Sequence, residues 1–335
     1  MNTALLRVAS AGPLVTLQDG GRIGHLRHGI PASGPMDRTA HATANVVLGN
    51  LAGATAVEVS RAGASFECVG ASVTIAVVGG RFRTSVNRAA VGSNIVLTLV
   101  PGDRLAIAAG PSGSWTYLAI AGEIQAPRWL GHTATHSLSG LGGGHVTVGL
   151  DVKVAAARMD PILDGAVAVF AGNDLVDGAT RVVLGPQDHR FTAEAVQRFV
   201  TTPFALTEAF DRMGVRLDGP RLDLDAALSI PSEPIVRGSV QVAGDGVATV
   251  LFADHQTTGG YPKIATVVGA DLDAFCQLRP GDPVRFIPVT PTEAIATART
   301  RAAAFEAFLD DDLLRTRQLA RRLGEADLIG DLGTH

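Results

Sequence analysis

The chain has 335 residues, 46% of them hydrophobic and 18% charged, a composition that excludes a disordered polymer and describes a well-buried globular protein. Its length exceeds one ordinary core and suits two domains. A net charge of −4 gives no basic excess of the kind that nucleic-acid binding needs, and Lys153 and Lys263 are the only lysines. No stretch approaches the ~18 consecutive apolar residues of a membrane span, and Arg7 interrupts the apolar start, so a cytoplasmic protein without leader or membrane contact is expected. Cys68 and Cys276 lie far apart in apolar runs without C-x-x-C spacing, which fits reduced core thiols.

Taken in chain order, LLRVAS leads through a Gly-Pro turn into VTLQDGGRIG, a strand entering a loop. Residues 36–48 place Ala40, Ala44, Val47 and Leu48 on one stripe of a short helix, which Gly49 and Asn50 end. From Ala56 to about Ile120 six runs, among them AVEVS, SVTIAVV and WTYLAI, read as strands between glycine turns. The chain's 39 glycines fit so many turns. A looser Gly-, His- and Thr-rich stretch covers residues 125–149, and strand-like runs resume at VAVFA and RVVLGP. Thr192 caps an expected helix, a β-rich block spans Ala205 to Val289, and helix formers dominate from Pro291 to about Glu325. Pro101-Gly-Asp103 before RLAIA recurs as Pro280-Gly-Asp282 before PVRFI. Gly79-Gly80 recurs as Gly259-Gly260 and Arg22-x-Gly as Arg212-x-Gly, so the order suggests two related β domains in tandem.

The densest polar segment is Asp254-His-Gln-Thr-Thr-Gly-Gly-Tyr-Pro-Lys263, directly after the apolar run ATVLFA. A glycine turn between strands can aim backbone N–H groups at a phosphate or carboxylate, with Lys263 as point charge and Gln256 and Thr258 orienting an amide. The plainer alternative is a polar hairpin whose side chains cap its own backbone. In a second cluster, Asp19 and Arg22 are placed to pair across a loop, with Gly34-Pro-Met-Asp37 and Asn45 downstream. His25 and His28 lack a third ligand at metal spacing, so no metal site is expected. In a third, Arg212 and Arg216, two alternations apart on a strand, would face one side as an anion clamp, with Ser232, Glu233 and Gln241 near in sequence. A solvated face is the alternative. No P-loop, G-x-S-x-G elbow, H-E-x-x-H or biotinyl-lysine context is present.

Together, LQDGGRIG, SGPMD, DRMGVRL and above all the run from Ser239 to Phe286 containing TTGGYPK resemble the allophanate hydrolase subunit 2 family, also called KipA-like or the family of the C-type 5-oxoprolinase subunits. The resemblance extends to about residue 290. It implies a mainly β fold of two tandem cyclophilin-like β-barrel domains with a few short helices. Residues 1–175 would form the first domain, 176–290 the second with the TTGGYPK turn, and 291–335 a helical tail. It implies a B-type (KipI-like) partner, an A-type subunit, and ATP-dependent hydrolysis of 5-oxoproline to glutamate, with Mg-ATP on this chain or a partner and no biotin attached to this chain. Other branches of the family are carboxyltransferases of biotin-dependent urea or amide carboxylases, or regulators that bind the sister protein. Lys263, Gln256 and Thr258 are then the expected catalytic residues. Thr257, Gly259, Gly260, Tyr261, Arg212 and Arg216 would bind substrate or anion, and Asp19, Arg22, Asp37 and Asn45 would be structural or interfacial. The chain departs from the family pattern at Glu123, at Gly131-His-Thr-Ala-Thr135 and at the GGGHVTV run from Gly142.

Overall fold

The apolar runs before residue 156 pair into two sheets, and their burial explains their two kinds of sequence pattern. The structure, a computed structural model, describes residues 3–167, 175, 178–225 and 230–312. The strands are β1 (Ala4–Ala11), β2 (Thr16–Gln18), β3 (Ala56–Ser60), β4 (Ala64–Cys68), β5 (Val73–Val78), β6 (Arg83–Val86), β7 (Ala89–Gly92), β8 (Ile95–Leu99), β9 (Arg104–Ala108), β10 (Trp115–Ile120), β11 (Glu123–Gln125) and β12 (Asp151–Ala155). One sheet has the order β11-β12-β1-β4-β9-β6-β7, the other β2-β3-β10-β5-β8. Strands of the larger sheet alternate buried and open positions, as in β1 and β9. β3, β5 and β10 are buried at every position because the smaller sheet is covered on both faces. One face, with Val57, Ile75 and Leu118, packs on the larger sheet. The other, with Ala56, Ala76 and Tyr117, packs on α1 (Arg38–Val47) through Ala40, Ala44 and Val47. The first half is therefore two packed antiparallel sheets, within the mainly β architecture expected.

The second half closes into a barrel in the order β13-β20-β17-β18-β15-β14-β21, closure being made by the parallel pairing of β13 (Ala179–Leu184) with β21 (Pro283–Pro288). The other members are β14 (Phe204–Phe210), β15 (Gly214–Asp218), β17 (Ser239–Val242), β18 (Ala248–Leu251) and β20 (Lys263–Val267). A separate pair, β16 (Glu233–Pro234) and β19 (Thr258–Gly259), lies outside the ladder. α2 (Ala193–Thr201) starts where Thr192 accepts the Ala195 N–H, and its Phe199 stacks on Phe286 of β21 at 4.6 Å. α3 (Leu272–Cys276), a single buried turn, was not anticipated within the β-rich block. α4 (Pro291–Ala307) opens with a Thr290/Glu293 capping box and buries none of its residues. The tail expected beyond residue 312 and most of the VAVFA run lie outside the described residues.

The repeat is visible in matched turns. Asp103 Oδ2 accepts the Val100 N–H, and Asp282 Oδ2 accepts the Arg279 N–H, each at 2.8 Å. Gly102 and Gly281 both take positive φ, 95° and 89°, and each donates its N–H to the neighbouring strand, to Cys68 and Leu206. The Gly79-Gly80 match does not extend to conformation, since only that pair has positive φ.

The halves are joined by polar and apolar contacts together. Arg279 donates to the carbonyls of Gly110 and Gly113, and Gln277 Oε1 accepts the N–H groups of Ser114 and Trp115. Asp273 accepts from Thr39, where Arg301 of α4 also reaches. Met36 and Trp115 of the first half pack into the barrel's apolar cluster.

Candidate functional site

The polar segment after β18 does not form an open nest. Its backbone pairs with residues 230–235: Gly260 O accepts the Ile230 N–H and Thr257 O the Ile235 N–H, both at 3.0 Å, with Glu233 opposite Gly259 and Pro234 opposite Thr258. Neither Gly259 nor Gly260 has the positive φ that an anion nest uses. Position 259 is close-packed: a Cβ there would meet Ile235 Cδ1 at 2.5 Å and Gln241 Nε2 at 2.8 Å, so those side-chain ends would have to shift. In place of the expected backbone cradle, Gly259-Gly260 form a tight hairpin contact.

The polar side chains around this hairpin lie on the outer face of the barrel. On β17, Val240 and Val242 point into the core, so Gln241 between them points outward by alternation, and Lys263 of β20 is its cross-strand partner past a register shift. Both are buried beneath the hairpin. Gln241 Oε1 accepts from Gln256 Nε2 at 3.2 Å, while Gln241 Nε2 has no partner among the described residues. Lys263 is 2% exposed, and its Nζ makes no hydrogen bond among the described residues. The nearest carboxylate, Glu233 Oε2, is 3.6 Å away and itself accepts from Gln187 Nε2. Beside this buried pair opens a depression of about 620 Å³ lined by Arg216, Gln241, Gln256 and Tyr261, with Asp211 and Met213 among its other walls. The N-terminal half reaches the same hairpin, since a methyl at Gly29 would lie 4.0 Å from Thr257 Oγ1.

Of the residues singled out in the sequence, Gln256, Tyr261 and Arg216 therefore share one depression, and Lys263 lies behind it. Thr257, Thr258, Gly259 and Gly260 form the hairpin. Arg212 does not join them, so the two-arginine clamp is not formed. Strand β15 begins only at Gly214, after a turn in which Asp211 Oδ1 accepts the N–H groups of Met213 and Gly214, and the expected strand parity is lost. Arg216 is exposed and pairs with Asp245 at 2.7 Å. Arg212 is fully buried between the halves. It grips Asp254 with Nε and Nη2 at 2.9 and 3.0 Å, donates Nη1 to Glu58, and donates Nη2 to the Gly34 carbonyl. The other Glu58 oxygen accepts from Tyr117 Oη and the Met36 N–H, each at 2.8 Å, and Asp254 accepts the Ser137 N–H. Burial alone would raise the Asp254 carboxyl, but the Arg212 guanidinium and the Ser137 bonds hold it below the usual range. Burial opposes the charge on Arg212 too, yet Asp254 and Glu58 raise its pKa further.

The second sequence cluster is also structural in geometry, though not as expected. Asp19 and Arg22 do not pair with each other. Asp19 accepts the N–H groups of Gly21 and Thr133, while Arg22 donates to the carbonyls of Trp129, Pro31 and Ala134 and lies 4.4 Å over the Trp129 ring. Both thus read the main chain of residues 129–134. Departures from the family pattern at 131–135 are compatible with these contacts because any side chain leaves the same N–H and C=O in place. Glu123 lies at the exposed end of β11, 3.6 Å from Arg128. Asp37 caps α1 through Ala40 and accepts from Gln277, and Asn45 donates to the carbonyls of His41 and Ala54. His25 and His28 lie 6.4 Å apart, and no group of three or more His, Cys, Asp or Glu among the described residues could hold a metal. Cys68 and Cys276 are both free and buried, and burial pushes the Cys276 thiol up to about 12. Among the described residues no helix is long and apolar enough to cross a membrane.

Gln187 and Glu58 were not foreseen. Gln187 meets Lys263 across 76 residues of sequence, a contact with no local signal. Glu58 carried one: a carboxylate inside the otherwise apolar run AVEVS demands a buried partner.

Comparison with known proteins agrees with this architecture. The carboxyltransferase domain family, subdomain A and B, matches residues 28–288. The C-type subunit of the 5-oxoprolinase of Escherichia coli strain K12 is 31% identical over 308 residues, 90% of this chain and 97% of that protein. A urea amidolyase of Lachancea kluyveri is 30% identical over 92% of this chain, which spans only 18% of it. Among solved structures, the Kluyveromyces lactis urea amidolyase superposes with a TM-score of 0.79 at 24% identity, over 92% of this chain and 20% of that one, and so speaks for the fold. The protein TTHA0988 superposes with a TM-score of 0.74 at 29% identity, over 84% of this chain and 55% of that one. The chain belongs to the family of the carboxyltransferase domain, subdomain A and B, the family that includes the C-type 5-oxoprolinase subunits.

Proposed function

We propose that this chain is the C-type subunit of a cytoplasmic ATP-dependent 5-oxoprolinase, hydrolysing 5-oxoproline to glutamate together with A- and B-type subunits. The observation that carries the reading is the match across 97% of a free-standing 5-oxoprolinase subunit of the C type. The geometry supports it. 5-Oxoproline offers a carboxylate and a ring amide, and the site offers a buried ammonium at Lys263 beside the paired amides of Gln241 and Gln256. An ammonium that lacks acceptors is poised for an anion, and a primary amide can answer both the C=O and the N–H of a lactam. Tyr261 and Arg216 border the open side, and Thr257 and Thr258 shape the hairpin above.

Mg-ATP does not fit this chain's site. Arg216 is already paired with Asp245, and Glu208 and Asp211 add negative charge to the same depression, the opposite of a triphosphate cradle. We therefore assign the nucleotide to a partner subunit, and the acceptor-seeking donors of this chain to the organic substrate.

The test is glutamate formation from 5-oxoproline and ATP by this chain assembled with its A- and B-type partners, against the same mixture without it. Glutamate should form only in the complete mixture, and Lys263→Met should lower turnover at least tenfold in a complex that still assembles. Normal turnover in that variant would remove Lys263 from the site. The urea amidolyase match favours a second reading, carboxyl transfer from carboxybiotin to an amide. Neither Lys153 nor Lys263 stands in a biotinyl-lysine context, so that reading requires a separate biotinylated carrier in the native complex, and a streptavidin blot lacking one would end it.

A further inference from the structure

In the Lys263 cluster the two donors are fixed and the acid is the movable member. Gln187 and Lys263 hold each other: the Lys263 N–H donates to Gln187 Oε1 at 2.9 Å, and the Gln187 N–H donates to the Lys263 carbonyl at 3.1 Å. With its oxygen so committed, Gln187 turns Nε2 toward Glu233. Both donor residues are buried. Glu233 instead stands on a two-residue strand, and its side chain is 47% exposed. It satisfies Gln187 but stops 3.6 Å short of Lys263 Nζ, outside hydrogen-bonding range, so the ammonium keeps its protons unanswered. Two anchored donors, one of them charged, match the two oxygens of a carboxylate, and Glu233 fills that place incompletely.

We propose that Gln187 Nε2 and Lys263 Nζ form a carboxylate receptor, that Glu233 is its resident anion, and that a ligand carboxylate binds by displacing Glu233. This rests on Lys263 being the anion-binding group, and it adds Gln187 as a binding residue and Glu233 as a competitor built into the site. Displacement is open because Glu233 already touches water: swung outward, its carboxylate is hydrated. An incoming carboxylate that reaches both donors answers the ammonium that Glu233 leaves short. The affinity observed is then the receptor's own, reduced by the fraction of molecules in which Glu233 has vacated it.

The test is calorimetric titration of the full-length chain with acetate, glutamate and 5-oxoproline, comparing the parent with Glu233→Ala and Gln187→Ala, and circular dichroism confirming the fold of each. Removing Glu233 should tighten carboxylate binding roughly tenfold, by freeing the competent state, and removing Gln187 should weaken it. The melting temperature of Glu233→Ala should rise on adding acetate by more than that of the parent. Binding that is unchanged or weaker in Glu233→Ala, or no carboxylate binding by parent and variant alike, overturns the proposal. Tighter acetate and glutamate binding without any 5-oxoproline binding leaves the receptor standing and overturns the lactam substrate instead.

Discussion

Arg212 and Lys263 are both buried cations facing carboxylates, and their surroundings could hardly differ more. Arg212 uses its planar fork: two bonds to Asp254, one to Glu58 and one to a carbonyl, with both acids further satisfied by Tyr117, Met36 and Ser137. Every charge in that cluster is answered, and the answers come from both halves of the molecule. Lys263 has a carboxylate at 3.6 Å and no hydrogen bond among the described residues. A buried network that is complete serves the fold, whereas one that stops short leaves a donor without an acceptor.

The sharpest way to break this contrast is to remove each cation in turn. Arg212→Leu leaves Glu58 and Asp254 buried without a counter-charge, a change that costs about 3–5 kcal/mol. Denaturant unfolding should show that loss whether or not partners are present. A loss below about 1 kcal/mol would mean that the halves are held by Gln277, Arg279 and the Trp115 contact, with the ion cluster incidental.

A pH titration comes next in size. His41 lies beside the Arg212 cluster, buried, its ring edge-on to Tyr117 at 5.5 Å and its Nε2 3.2 Å from the Gln18 carbonyl. Burial pushes its pKa down to about 4 from 6.5, so the folded protein holds it neutral while the unfolded chain takes up a proton first. Its contribution is complete above pH 6.5 and is lost as pH falls toward 4, on the order of 3 kcal/mol in all. Asp254, also held low, keeps its contribution above the ordinary aspartate value of 3.8 and loses it only in stronger acid. Melting temperature against pH should therefore fall in two stages, and His41→Gln should flatten the first alone. A first stage that survives in His41→Gln would place the acid sensitivity elsewhere.

How far the sequence told these regions apart depends on the range of the contacts. The stripe Ala40, Ala44, Val47 became the buried face of α1, and both Pro-Gly-Asp turns have the same bonds, because those features are settled within a few residues. The TTGGYPK segment stood out by its density of polar groups, and Gln256 and Tyr261 do line one depression, with Lys263 paired to its neighbour Gln241. The alternation argument for Arg212 and Arg216 failed by position: the strand starts two residues later than assumed, and periodicity says nothing before its first residue. α3 was invisible because a five-residue run, apolar except at Asp273, suits one helical turn as well as a strand. Gln187 was out of reach altogether, since only the long-range pairing of β13 with β20 brings it to Lys263.

The smallest expected change in stability is the most informative. Lys263→Met removes an ammonium that has no hydrogen bond among the described residues and puts a side chain of similar length and no charge in its buried place. Desolvating a charge without full compensation costs several kcal/mol, so its replacement should leave stability within about 1 kcal/mol of the parent, or above it. Glu233 is half exposed and returns to water without penalty, and Gln187 keeps its bonds to the residue-263 backbone because those do not involve the lysine side chain. The same substitution should abolish carboxylate binding. A protein as stable as the parent that no longer binds acetate separates function from folding at a single atom, Nζ. A loss of about 3 kcal/mol or more, comparable with that of Arg212→Leu, would instead show that the 3.6 Å approach to Glu233 already satisfies the lysine, and the distinction between the two cations would fall.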